Sequence, residues 1–206
     1  MYIINEANFT RELSVPNLIS SQSGNSAELA YYGDEKPRLL LQMSLGNVLF
    51  SQLDSQVTAG VLNVGADQKW KDLVNGVTYD GKVWKGLNYT EGSFKVSLLA
   101  YYTYWFWVND SYSSNFQIQA KNADNINPTS TMVDVWNKFL EMYQGVNNYC
   151  LPRVSNFNGT TFVDYFGNQN SNYVSLLQFL KDNPTNYPEP QLYTFENLSN
   201  SNSLGL

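Results

Sequence analysis

Apolar residues at Leu41, Leu45, Val48, Leu49, Leu53 and Val57 recur at three- and four-residue steps. That spacing lays one apolar stripe along a helix and predicts one over about 35–57. Asp34 stands where it can cap this helix, and Pro37 falls in its first turn, where a missing N–H costs little. Gly46 interrupts the stripe at about 1 kcal/mol relative to alanine, and is expected to mark a close helix–helix contact. A short helical piece carrying Glu28 and Leu29 is expected before Gly33. A second helix over about 66–74 is stopped by Asn75 and Gly76. Asp80-Gly81 between β-forming stretches predicts a hairpin over 77–87, closed by Gly86 and Leu87.

A third helix is expected over about 90–108, with Thr90 and Glu91 at its start. Its middle is apolar nearly all round, the mark of a helix at the centre of a bundle or in a subunit interface. Phe116, Ile118 and Ala120 alternate with glutamines and predict a strand or hairpin arm within the polar stretch 111–127. Val133, Trp136, Leu140, Tyr143 and Val146 form the buried face of a fourth helix over about 128–148. A loop over 152–167 precedes a fifth helix over about 171–182, carrying Tyr173, Leu176, Leu177 and Leu180 and ended by Pro184.

The two ends of the chain have no period. Residues 1–26 read as an N-terminal arm, with Pro16 and a Ser/Gln/Gly/Asn cluster. Residues 185–206 read as an extended C-terminal tail whose apolar positions, with no fixed spacing, are expected to lie against another molecule. The fold class expected is therefore mainly α: a helical bundle of four to five helices over 27–184, with a protruding β-hairpin and extended N- and C-terminal arms.

Histidine is absent from all 206 residues, which excludes Ser-His-Asp and Cys-His nucleophiles, imidazole zinc sites and histidine-held haem. Cys150 is the single cysteine, so no internal disulfide framework or iron–sulfur centre can form. Lys and Arg number 12 against 18 Asp and Glu, a net charge of −6 that argues against a phosphate-gripping surface. The opening residues lack the cationic and apolar regions of a signal peptide. The most apolar stretch, 13 residues over 96–108, is too short to span a bilayer. The glycosylation sequons at Asn8, Asn88 and Asn158 are expected by chance in so asparagine-rich a chain.

Catalysis would have to rest on carboxylates, lysine, tyrosine or serine. Asp34 with Glu35, Asp72, Asp80, Glu91, Asp134 and Glu141 are the candidate acids. Asp134 and Glu141 stand two turns apart on one helix face and read as its solvated edge. Asp80 is explained by its turn, and Glu91 by a helix dipole it would complement. Lys95 near Tyr101 and Tyr102 reads as a snorkelling lysine rather than a general base. The oxygen-rich stretch 122–127, from Asn122 to Asn127, reads as a polar loop rather than a calcium site. No catalytic residue, cofactor or metal site is expected, and the chain is not expected to be an enzyme. Trp105, Trp107 and Trp136 fall within helical patterns and read as packing. Trp70 and Trp84 flank the hairpin, where exposure would make an aromatic platform for sugars. The alternative function is accordingly an aromatic-based carbohydrate-binding module of a tail fibre or surface protein.

One further pattern is the order of short motifs. Leu45-Gly46 closes the first long helical stripe. Trp70, Leu73, Gly76 and Tyr79 follow, then Trp84-Lys-Gly-Leu87, then the aromatic run Ala100-Tyr-Tyr-Thr-Tyr104. This order resembles that of the head–tail connector proteins (adaptors, or neck rings) of tailed bacteriophages, those of the crAss-like kind among them. Leu176-Leu-Gln-Phe-Leu180, 183–188 and the closing 202–206 are similar to that group's C-terminal half. The resemblance covers about 28–206, and the chain departs from the group in its long 111–127 and 152–167 segments.

What the resemblance implies is a structural virion protein, made in the host cytoplasm. It would form a homo-oligomeric ring, usually a dodecamer, that docks on the portal protein and extends the DNA channel to further neck or tail proteins. DNA would pass without specific binding, which the acidic balance favours. The interface candidates are Tyr193, Phe195, Leu198, Leu204 and Leu206 in the tail, and Trp70, Tyr79, Asp80, Gly81 and Trp84 around the hairpin.

Overall fold

The computed structural model describes residues 1–15, 24–115, 128–145 and 172–196. The expected strand at 116–120, the stretch 122–127, Val146, Cys150, the loop over 152–167, the sequon at Asn158 and the leucines Leu198, Leu204 and Leu206 lie outside the described residues. Among those described the fold is mainly helical, with small antiparallel hairpins.

The first helix differs from its expectation at both ends. α1 runs over Gly24–Leu45 through Gly33 and Pro37, and the chain breaks at Gly46 before α2, Asn47–Asp54. Asp34 is thus inside the helix, not its cap. Gly46 takes φ +80, which only glycine adopts cheaply. A Cβ there would meet only Gln191 at 3.8 Å, so Gly46 serves the break rather than a tight helix contact. The stripe beyond Leu53 ends in β1, Val57–Thr58, paired antiparallel with β2, Val61–Leu62, across a turn at Ala59 and Gly60.

Residues 1–15 are no arm. Tyr2, Ile3, Ile4, Phe9, Leu13 and Val15 are buried in the hydrophobic core, joined by two 3-10 turns at Glu6–Asn8 and Arg11–Leu13. Pro37 supplies the reason. In α1 it has no N–H for the carbonyl of Gly33, and the amide of Tyr2 takes that carbonyl at 2.7 Å. The Ile3 amide bonds the carbonyl of Gly60 at 2.7 Å, so the first residues thread between α1 and the β1–β2 turn.

α3, Gln68–Asn75, stops at Gly76 as its sequence predicts. β3, Val77–Tyr79, and β4, Lys82–Trp84, then pair with Val77 opposite Trp84. Asp80 at φ +45 and Gly81 at φ +74 make the two-residue turn that matches strand twist. This hairpin does not protrude. Val83 exchanges main-chain hydrogen bonds with Asn172 and Val174, at 2.7 and 3.1 Å, so residues 172–174 lie along β4.

The third helix starts later than expected. Residues 88–97 form a hairpin instead, β5 over Asn88–Glu91 and β6 over Phe94–Ser97, turning at Gly92 with φ +61. α4, Leu98–Asn115, follows, with the Ser97 hydroxyl accepting from the Ala100 amide at 3.4 Å. α4 packs against both α1 and α5, Pro128–Gln144, and so takes the central place its all-round apolarity predicts. α6, Leu176–Asp182, is capped by Ser175 and is shorter than expected, leaving Tyr173 in the stretch beside β4.

Candidate functional site

The residues expected to make outward contacts are largely interior. Trp70 is 0% exposed and Trp84 2%, so neither offers a face to a sugar or a partner. The Trp84 ring stacks on Phe179 of α6 at 5.5 Å, and its Nε1 donates to the Leu73 carbonyl at 2.9 Å. That carbonyl lies in the last turn of α3, and the Leu87 amide also reaches it, at 3.1 Å. Trp70 packs edge-on against Tyr187 at 5.8 Å. The Tyr79 hydroxyl donates to Asp182 at 2.9 Å, beside the Lys82–Asp182 ion pair at 2.6 Å. Of the hairpin candidates only Asp80 and Gly81 stand exposed, at the turn. The Trp/Gly/Tyr motifs thus build a folding unit, with Trp70, Tyr79 and Trp84 inside it.

Of the C-terminal candidates, Tyr193 and Phe195 are among the described residues, and both contact other parts of this chain. After α6 the chain reverses and returns as a strap. Tyr187 is buried between Trp70 and Phe179, and its hydroxyl donates to the carbonyl of Lys69. The Leu192 amide donates to the Ser44 carbonyl at 3.1 Å, a group that the helix break at Gly46 leaves available. Gln144, the last residue of α5, holds Phe195 by both main-chain groups. Its Oε1 accepts from the Phe195 amide at 3.0 Å and its Nε2 donates to the Phe195 carbonyl at 2.9 Å. The Phe195 ring lies within 5.9 Å of the rings of Tyr102, Trp136, Phe139 and Tyr143. The Tyr143 hydroxyl donates to the Tyr193 carbonyl at 2.8 Å, and burial pushes its pKa up to about 12, so it stays a donor. Tyr193 itself is 48% exposed.

The candidate acids are spread and individually engaged. Asp34 pairs with Arg38 at 3.4 Å, Glu35 with Lys36 at 3.1 Å, and Asp72 accepts from Gln68 at 2.7 Å. Glu91 sits on β5, not at a helix start, and pairs with Lys85 at 3.6 Å. Asp134 is exposed on α5 as expected, but Glu141 is not a solvated edge. Burial pushes its carboxyl above the usual range, against the pull of Lys138 at 3.3 Å. Lys95 is exposed on β6 rather than at a helix end. The Tyr101 hydroxyl donates to Glu12 of the N-terminal segment. Tyr102 is buried among aromatic rings, which raises its pKa well above the ordinary tyrosine value. No two of these carboxylates form a facing pair across an open pocket.

The open surface that the sequence did not single out lies around the β1–β2 turn. Val61 is 68% exposed and Val64 94%, with Val48 of α2 at 74%. Beside the turn runs an open groove of about 890 Å³, lined by Ile3, Ile4, Leu62 and Val64 and edged by Glu6 and Lys71. The loop that carries the valines is pinned. Gln56 donates to the Asp67 carboxylate at 2.6 Å and accepts from its amide at 2.6 Å, and its carbonyl accepts from Asn63 at 2.9 Å. One signal was available: between Asp54 and Asp67 the chain carries no charge at all.

No protein family, curated protein or solved structure matches the chain. Among the described residues no helix is long and apolar enough to cross a membrane, and no cluster of acids or cysteine could hold a metal ion.

Proposed function

We propose that this chain is a structural subunit of the virion neck, a head–tail connector. Its copies form a ring, expected to be twelvefold, that docks on the portal, extends the DNA channel and joins the capsid to the tail. The observation that carries the reading is the pair Val61 and Val64, large apolar side chains held out to solvent on a charge-free loop pinned at both ends. A pre-ordered apolar projection loses little freedom when covered, which suits a contact surface. The order of the Trp70–Tyr79, Trp84–Leu87 and 100–104 motifs supports the connector class in particular. A ring contact is heterologous, so the face that meets Val61 and Val64 belongs to a different surface of the next copy.

The test replaces both valines by lysine in the full chain and compares it with the parent, alone and with a portal complex, by native mass spectrometry. Circular dichroism unchanged with assembly lost supports the reading. Assembly unchanged in the double variant, or a parent chain that stays solitary with portal present, overturns it.

A further inference from the structure

We infer that the strap over 191–196 is an exchangeable arm, which in the assembled protein lies in the same cleft of a neighbouring copy. This rests on the reading that the chain assembles with itself. The cleft is formed by the end of α1 and by α5, with Ser44, Trp136, Phe139, Tyr143 and Gln144 as its walls. Its five hydrogen bonds to the strap all go to main-chain groups of Leu192, Tyr193, Phe195 and Glu196. Such bonds are indifferent to which copy supplies the strap, and one aromatic anchor, Phe195, sets the register.

The hinge points the same way. Tyr187 is fully buried in the core, whereas Phe195 is only partly buried, so the arm is free to leave while its root stays in place. Between them stand Pro188, Glu189 and Pro190. Glu189 sits at φ +51, a region unfavourable to any residue with a side chain and further restricted before proline. Folding the strap back onto its own copy therefore costs backbone strain at Glu189, and an extended hinge removes it. The same contacts made in trans without that strain are the condition for exchanging an element between copies. Three hinge residues in extended form reach about 10 Å.

The experiment uses complementary full-length chains. Gln144→Ala spoils the cleft and keeps the strap; Phe195→Ala spoils the strap and keeps the cleft. Arm exchange predicts that each variant alone assembles at least tenfold more weakly than the parent, and that an equal mixture recovers mixed assemblies, read by native mass spectrometry with one variant isotope-labelled. A second chain lacking Glu189 and Pro190 cannot turn back on itself, and is expected to be oligomeric with the Phe195 amide still protected from hydrogen exchange. If both point variants assemble as the parent does, or the shortened chain is monomeric with Phe195 unprotected, arm exchange is overturned while the ring reading stands. If the parent itself never assembles, both fall.

Discussion

The amide of Tyr2 donates at 2.7 Å to the carbonyl of Gly33, the one carbonyl in α1 that Pro37 leaves without a partner. A proline inside a helix normally weakens it, because the orphaned acceptor is exposed or unpaired. Here the acceptor becomes the docking point for the first residues of the chain. Gly33 also keeps the approach open, since a Cβ there would lie 2.7 Å from Met1 Cγ. Pro37→Ala returns a helical donor to Gly33 in competition with Tyr2. The expected outcome is at least tenfold faster hydrogen exchange at the Tyr2 and Ile3 amides with α1 intact by circular dichroism. Unchanged protection of Tyr2 would refute the competition.

Gly76 and Gly86 mark a crossing of two chain segments. A Cβ on Gly76 would lie 2.6 Å from the main chain of Trp84 and Lys85, and one on Gly86 2.6 Å from that of Val74, Asn75 and Gly76. Both also sit at positive φ, +89 and +94. Gly76→Ala and Gly86→Ala are each expected to cost more than about 3 kcal/mol, through overpacking added to left-handed strain. Gly65→Ala, with open space around it, should stay within about 0.5 kcal/mol. Gly92→Ala, at φ +61 but unobstructed, should fall between, near 1–2 kcal/mol. Urea titrations of the four variants measure the order.

Asp182 links α6 to the β3–β4 hairpin. Partial burial by itself raises its pKa, but hydrogen bonds from Lys82, Tyr79 and Gln178 outweigh that and hold the carboxyl below its ordinary value. A carboxyl lowered on folding adds stability that is present above its unfolded value, about 3.9, and is lost as pH falls through the folded one. With Lys82 partly solvated, the contribution is about 0.5–1 kcal/mol. Asp182→Asn should therefore lower the melting temperature at pH 7, and the difference from the parent should shrink as pH falls below the ordinary carboxyl range.

Glu141 has the opposite sign. Burial raises its carboxyl, and Lys138 offsets this only in part. The folded state then favours the protonated form, an advantage complete below the unfolded value near 4.3 and lost as pH rises through the folded one. Glu141→Gln keeps the shape without the charge. It is expected to raise stability at pH 7 by about 0.5–1 kcal/mol and to change nothing near pH 4. A destabilised variant at pH 7 would show that the ion pair with Lys138 dominates.

Local signals carried part of the fold. Asp80-Gly81 located its hairpin, Gly76 its helix stop, and the spacing of Val133, Trp136, Leu140 and Tyr143 the buried face of α5. The third helix begins later than its apolar run implies because Val96 is apolar and continues the run from Leu98, hiding the alternation of β6. What sequence could not give was partnership at a distance. Trp84 is covered by Phe179, 95 positions later, and Tyr2 by a carbonyl whose vacancy depends on Pro37. The candidate surface is hidden from a periodicity reading for another reason. Val61 and Val64 stand out by what surrounds them, an absence of charge, rather than by any periodic pattern.

The burial of Tyr187 between Trp70 and Phe179 has a consequence for how the molecule is made. While residues up to α5 emerge from the ribosome, the indoles of Trp70 and Trp84 lack the rings that cover them, and non-local closure of this kind is slow. Closure of this unit therefore waits for synthesis to deliver α6 and Tyr187, and a nascent chain stalled before α6 presents both indoles to chaperones rather than a finished half-domain.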